Sequence, residues 1–75
     1  NYLNRITRDQ DICFGKPVIR NLRYPVDMLL SLMASGMSKE EILEDYEDLQ
    51  YEDLLACLQY AAKISQSRIA QKIVL

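Results

Sequence analysis

The residues of this chain best equipped for chemistry are its charges, and they are unevenly placed. Arg5, Arg8, Lys16, Arg20 and Arg23 stand against Asp9 and Asp11 in residues 1–23, a local charge of +3. Residues 38–53 hold Lys39 against Glu40, Glu41, Glu44, Asp45, Glu47, Asp48, Glu52 and Asp53, a local charge of −7. Residues 54–75 return to +3 through Lys63, Arg68 and Lys72. With Asp27 between, the whole chain carries −2. Basic ends around an acidic middle suit self-association, a charged protein partner, or a basic face laid on nucleic acid.

The same inventory excludes much else. There is no histidine, the commonest general base and metal ligand at neutral pH. Cys13 and Cys57 lie far apart, form no Cys-x-x-Cys pair, and cannot supply four zinc ligands. They read as two reduced, half-buried thiols of a cytoplasmic protein. Gly15 and Gly36 are too widely separated to form a phosphate-cradling loop. The acidic stretch from Glu40 to Asp53 lacks the alternating ligands and glycine hinge of a calcium loop, and reads as a solvated face. We therefore expect no enzyme, no metal and no cofactor. The polar, basic start from Asn1 to Gln10 does not resemble a signal peptide, and no apolar run approaches the length of a membrane span.

Two segments remain as candidate binding sites. Arg5, Arg8, Lys16, Arg20 and Arg23, interleaved with Phe14 and Tyr24, could lie on nucleic acid as a strand ribbon paired from two chains. The other reading is that these cations are solvated or paired with the acidic stretch in the same dimer. Near the C-terminus, Arg68 and Lys72 share one i, i+4 spacing and Ile69 and Ile73 share another. A helix basic on one side and apolar beside it has the form of a groove-docking segment. Its alternatives are packing on the chain's own core or a frayed end.

These residues need a scaffold. With 75 residues the chain is one small domain whose thin core would gain from a partner. The β-branched, aromatic and large apolar residues up to Tyr24 predict short strands near Ile6–Thr7, Ile12–Phe14 and Val18–Ile19, with Gly15-Lys16-Pro17 as a turn. Pro25 in a first helical turn predicts a helix carrying Val26, Leu29, Leu30 and Met33 inward, closed by Gly36. Ser38 and Glu41 have the spacing of a capping box, and Ile42, Leu43 and Tyr46 follow as an inward face. Asp48 or Gln50 would cap a long last helix with Leu54, Leu55, Leu58, Ala61 and Ile64 inward.

The first two helices meet at a glycine-containing turn of helix-turn-helix length, where Met37 would plug the crossing. Yet the second helix would present Glu40, Glu41, Glu44 and Asp45 outward, and carboxylates repel phosphates. The expected architecture is α+β: a short N-terminal β element, then a three-helix, helix-turn-helix-like bundle of the winged-helix or homeodomain-like kind. Residues 1–64 would be this domain and residues 65–75 a C-terminal helical tail. The β element would pair two copies into a homodimer.

The order of these residues resembles the bacterial family called domain of unknown function 433. The resemblance is carried by Ile6-Thr7, Asp11-Ile12, Gly15-Lys16-Pro17, Ile19, Arg23 and Val26. It continues through Gly36-Met37-Ser38, Glu40-Glu41-Ile42-Leu43, Tyr46, Leu49, Glu52-Asp53, Leu58, Tyr60 and Ala61. It spans residues 6 to about 64. The chain departs from the pattern at Asn21-Leu22, where the family often has Gly-Thr, and at Glu47, where it often has Pro.

The resemblance implies an antitoxin of a type II toxin–antitoxin pair, similar to the VapB class, whose partner is a PIN-like, metal-dependent ribonuclease. Such a toxin holds its metal on a carboxylate cluster, which a planar guanidinium engages with two prongs. The tail, residues 65–75, would then be the toxin-binding segment. Arg68 fits that task, with Lys72 assisting and Ile69 and Ile73 as apolar anchors. These four lie beyond the shared region, so their roles follow from their chemistry and not from the family. Binding of operator DNA through the basic N-terminal residues is a second expected role. A DNA-binding regulator without a toxin, or a structural interaction module, are the other readings.

Overall fold

The computed structural model describes residues 1–66. Asn1 starts the chain as a cap, its Oδ1 accepting the Leu3 N–H at 2.9 Å, and residues Tyr2–Arg5 form one 3₁₀ turn. Strand β1 (Ile6–Thr7) then pairs antiparallel with β2 (Val18–Ile19), Ile6 opposite Ile19 and Thr7 opposite Val18. A ribbon this short is marginal alone. Both residues of β2 are fully buried, so packing against the helices holds the ribbon.

The strand expected near Ile12–Phe14 does not form. Asp9 Oδ1 accepts the Asp11 N–H and Asp9 O accepts the Ile12 N–H, each at 2.9 Å, which curls the chain into a tight turn. Cys13, Phe14 and Gly15 follow at φ 51, 57 and 81, a left-handed run incompatible with a strand. An isolated bridge between Asp9 and Ile12 takes the place of the expected pairing.

Helix α1 (Val26–Ala34) begins after Pro25, not with it: Pro25 is extended and its carbonyl accepts the Met28 and Leu29 N–H groups. The helix ends in a paired closure, with Met37 N–H bonded to Leu32 O at 3.3 Å and Gly36 N–H to Met33 O at 3.1 Å. Gly36, at φ 97, supplies the left-handed residue this closure needs. Helix α2 (Lys39–Asp45) has the expected capping box. Glu41 N–H donates to Ser38 Oγ at 3.2 Å, and Ser38 N–H donates to Glu41 Oε1 at 2.8 Å. The backbone N–H of Ser38 holds the Glu41 carboxyl below the usual range, and its hydroxyl adds to this.

Helix α3 (Tyr51–Ser65) is the longest element and touches α1, α2, β1 and the N-terminal turn. Its buried residues are Asp53, Leu54, Ala56 and Cys57. The inward stripe expected from Leu54, Leu55, Leu58, Ala61 and Ile64 is thus turned: Leu54 is buried, whereas Leu58 and Ile64 are exposed. The cause is Asp53, which reaches inward and brings its i+3 and i+4 neighbours with it. Ile19, Val26, Leu29, Ile42, Leu49, Leu54, Ala56 and Cys57 make one core. Tyr24 and Tyr46 meet edge to face at its border, centroids 5.5 Å apart. The result is a compact α+β fold, a two-stranded sheet followed by three helices.

Candidate functional site

The structure brings Arg5 and Arg20 together on a buried carboxylate. Arg5 precedes β1 and Arg20 follows β2, so the paired ribbon carries both guanidinium groups to the first turn of α3. Asp53 there is fully buried. Its Oδ1 accepts Arg5 Nη1 at 2.9 Å and Arg20 Nε at 3.1 Å. Its Oδ2 accepts Arg20 Nη2 at 2.8 Å and the Gln50 N–H at 2.8 Å. Arg5 Nη1 also reaches Gln50 Oε1, and Arg20 Nη2 reaches Asp48 O, both at 2.8 Å.

Burial is the largest single influence on Asp53 and would push its carboxyl up. Arg20, the Gln50 N–H and Arg5 together outweigh it and hold the carboxyl below its ordinary value. Arg20 is pushed up in turn, first by its bond to Asp53. Two of the five N-terminal cations, Arg5 and Arg20, thus pair with one residue of the acidic stretch within a single chain. Composition alone puts Asp53 on a solvated face, but two signals mark it out. It lies four residues before Cys57 on the inward side, and three after Gln50, the spacing of a helix cap.

The other three N-terminal cations stand apart from the network. Arg8 Nη2 donates to Tyr60 Oη at 3.0 Å. Lys16 pairs loosely with Asp27 at 3.4 Å, both largely exposed. Arg23 is exposed and makes no side-chain hydrogen bond or ion pair among the described residues. Tyr24 Oη donates to Asp48 Oδ2 at 3.3 Å. The outward residues of α2, namely Glu40, Glu41, Glu44 and Asp45, are exposed, so this helix shows solvent a row of carboxylates. Arg68, Ile69, Lys72 and Ile73 lie outside the described residues.

One groove opens beside Arg8. Leu3, Ile6, Arg8, Tyr60, Lys63 and Ile64 line a volume of about 560 Å³. Its lining is mostly apolar, its two charged groups are cations, and no carboxylate lines it. Charge and motif reading do not reach this site. Its signal in the sequence is the placing of Tyr60, Lys63 and Ile64, which share one side of α3 at i, i+3 and i+4.

Among the described residues, no group of three or more cysteine and carboxylate side chains converges as metal ligands would. Both cysteines are free thiols, and burial, with a lesser part from Asp53, pushes the Cys57 thiol up to about 12. No described helix is long and apolar enough to cross a membrane.

Comparison with known proteins agrees with the fold. No curated protein matches the chain. A crystal structure of a DUF433 member protein from Anabaena variabilis superposes with a TM-score of 0.77 at 32% identity, covering 96% of this chain and 70% of that one. A family model described as "Protein of unknown function (DUF433)" matches residues 6–61, from β1 through most of α3. The fold is therefore shared with that member protein, and the chain belongs to the DUF433 family.

Proposed function

We propose that this protein is an antitoxin that binds and inhibits a cognate PIN-like ribonuclease toxin in the bacterial cytoplasm. The observation that carries the reading is the residue spacing in the sequence beyond Ile64. There Arg68 and Lys72 share one i, i+4 spacing and Ile69 and Ile73 share another, so cations and apolar residues recur at one-turn intervals. Such a segment suits a groove beside a carboxylate cluster. Binding of operator DNA is a secondary role. Arg8 and Arg23, exposed on the N-terminal side, support it, while the engagement of Arg5 and Arg20 by Asp53 and the carboxylate row of α2 limit the basic face.

The test is co-expression of the tagged chain with the product of the adjacent gene, followed by pull-down and a ribonuclease assay. The full chain should form an inhibited complex, and a chain ending at Ile64 should not. A complex that survives truncation would remove the assignment of Arg68, Ile69, Lys72 and Ile73. No complex, with DNA bound in a strongly salt-dependent manner instead, would favour the regulator reading.

A further inference from the structure

Two surface features have no partner among the described residues of a single copy. The first is Phe14, which is 99% exposed. Cys13 and Phe14 both adopt the left-handed conformation, which side chains with a Cβ disfavour. The turn is nonetheless well fixed, with Gly15 N–H bonded to Ile12 O at 3.2 Å and Lys16 N–H to Cys13 O at 3.1 Å. A phenyl ring is thus presented to solvent on a strained and hydrogen-bonded turn. Strain of this kind, not offset by burial, points to a contact made elsewhere. The second feature is the groove of Leu3, Ile6, Arg8, Tyr60, Lys63 and Ile64, whose lining is mostly apolar and carries two cations.

We propose that Phe14 of one copy seats in the Leu3–Ile6–Ile64 groove of a second copy, and that two such contacts join the chains into a two-fold dimer. Size and charge both favour this occupant. The groove, at about 560 Å³, admits a phenyl ring together with part of its turn. The turn that carries Phe14 also carries Asp9 and Asp11, both exposed, while the groove lining carries Arg8 and Lys63. Within one copy Arg8 bonds to Tyr60, and neither aspartate forms an ion pair among the described residues. Across two copies the carboxylates meet the cations as the ring enters. Each copy offers one knob and one groove, so a two-fold arrangement satisfies all four features and leaves none open. A buried aromatic ring at the centre of such a contact is a strong anchor. This contact differs from the strand pairing expected from the sequence, and it does not depend on toxin binding.

Sedimentation equilibrium of the full chain tests it. The wild type should show a reversible dimer, and Phe14→Ala should weaken it at least tenfold, by the usual weight of an aromatic anchor. Phe14 is exposed, so its loss leaves the monomer folded, which circular dichroism checks. Asp11→Lys and Lys63→Glu should each weaken the dimer, and the two together should restore it. A photo-crosslinking phenylalanine analogue at position 14 should attach to Lys63 or Ile64 of another copy. A monomeric wild type, a Phe14→Ala dimer of unchanged strength, or crosslinks confined to residues 67–75 or to a different protein would overturn the proposal.

Discussion

Arg20 grips Asp53 with two prongs, Nε on Oδ1 at 3.1 Å and Nη2 on Oδ2 at 2.8 Å. Arg5 and the Gln50 N–H complete a set of four donors around a carboxylate that has no contact with solvent. Removing one partner of a buried pair leaves the other uncompensated. Asp53→Ala should therefore lower stability by about 3 kcal/mol, measured by urea unfolding at neutral pH. Asp53→Asn should cost less, because an amide oxygen can still accept the Gln50 N–H. Arg20→Lys should recover little of the loss from Arg20→Ala, since an ammonium cannot form both prongs.

The same carboxylate sets an acid limit. Its value in the folded protein lies below its ordinary one, so the stability it contributes is complete above the unfolded value, about pH 4. That stability is lost as the pH falls through the lower folded value. Glu41, also held low, adds in the same direction. The urea midpoint should fall below about pH 4, and the fall should be shallower in Asp53→Asn. An equally steep fall in that variant would show that other groups control acid unfolding.

Backbone conformation gives a third test. A Cβ at Gly36 would meet nothing within 4 Å, so Gly36→Ala isolates the cost of a left-handed alanine, about 1 kcal/mol. Asn21 is at φ 57 and its backbone N–H donates to Thr7 Oγ1 at 2.8 Å, a bond that any residue but proline keeps. Asn21→Gly should be neutral or slightly stabilising, and Asn21→Val should cost more than about 1 kcal/mol, both read from thermal unfolding.

The two thiols should differ sharply in reactivity. Cys57 is fully buried and pushed up to about 12, so at about pH 8 it holds almost no thiolate. Cys13 is only half-buried. A thiol reagent should modify Cys13 in the native protein and Cys57 only after unfolding, which mass spectrometry of the labelled peptides resolves.

Much of the scaffold is legible in local signals. The pairing of Ile6–Thr7 with Val18–Ile19, the closure at Gly36 and the Ser38–Glu41 box each depend on a few neighbouring residues whose chemistry is explicit. Legibility ends where distant residues decide. Ile12–Phe14 has strand composition, yet the hydrogen bonds of Asp9 turn the chain first. Leu58 and Ile64 fit an apolar stripe, yet the demand of Arg5 and Arg20 for Asp53 rolls α3 away from them. Likewise the basic N-terminal segment looks uniform in sequence, whereas the fold engages Arg5 and Arg20 on Asp53 and leaves Arg23 exposed. The groove is the least legible feature, because Leu3 and Ile64 come together only when the first turn packs along α3.

That the two guanidinium groups flank the ribbon has a bearing on how the molecule comes apart. Peeling β1 and β2 from the helices would strip Asp53 of Arg5 and Arg20 at once and leave its carboxylate with the Gln50 N–H but no cation. A three-helix remnant therefore has no standing as an intermediate, and this small domain should open as one cooperative unit. Native-state hydrogen exchange should show it directly, with the amides of Ile19 in the ribbon and Cys57 in α3 exchanging at the same free energy and responding alike to denaturant.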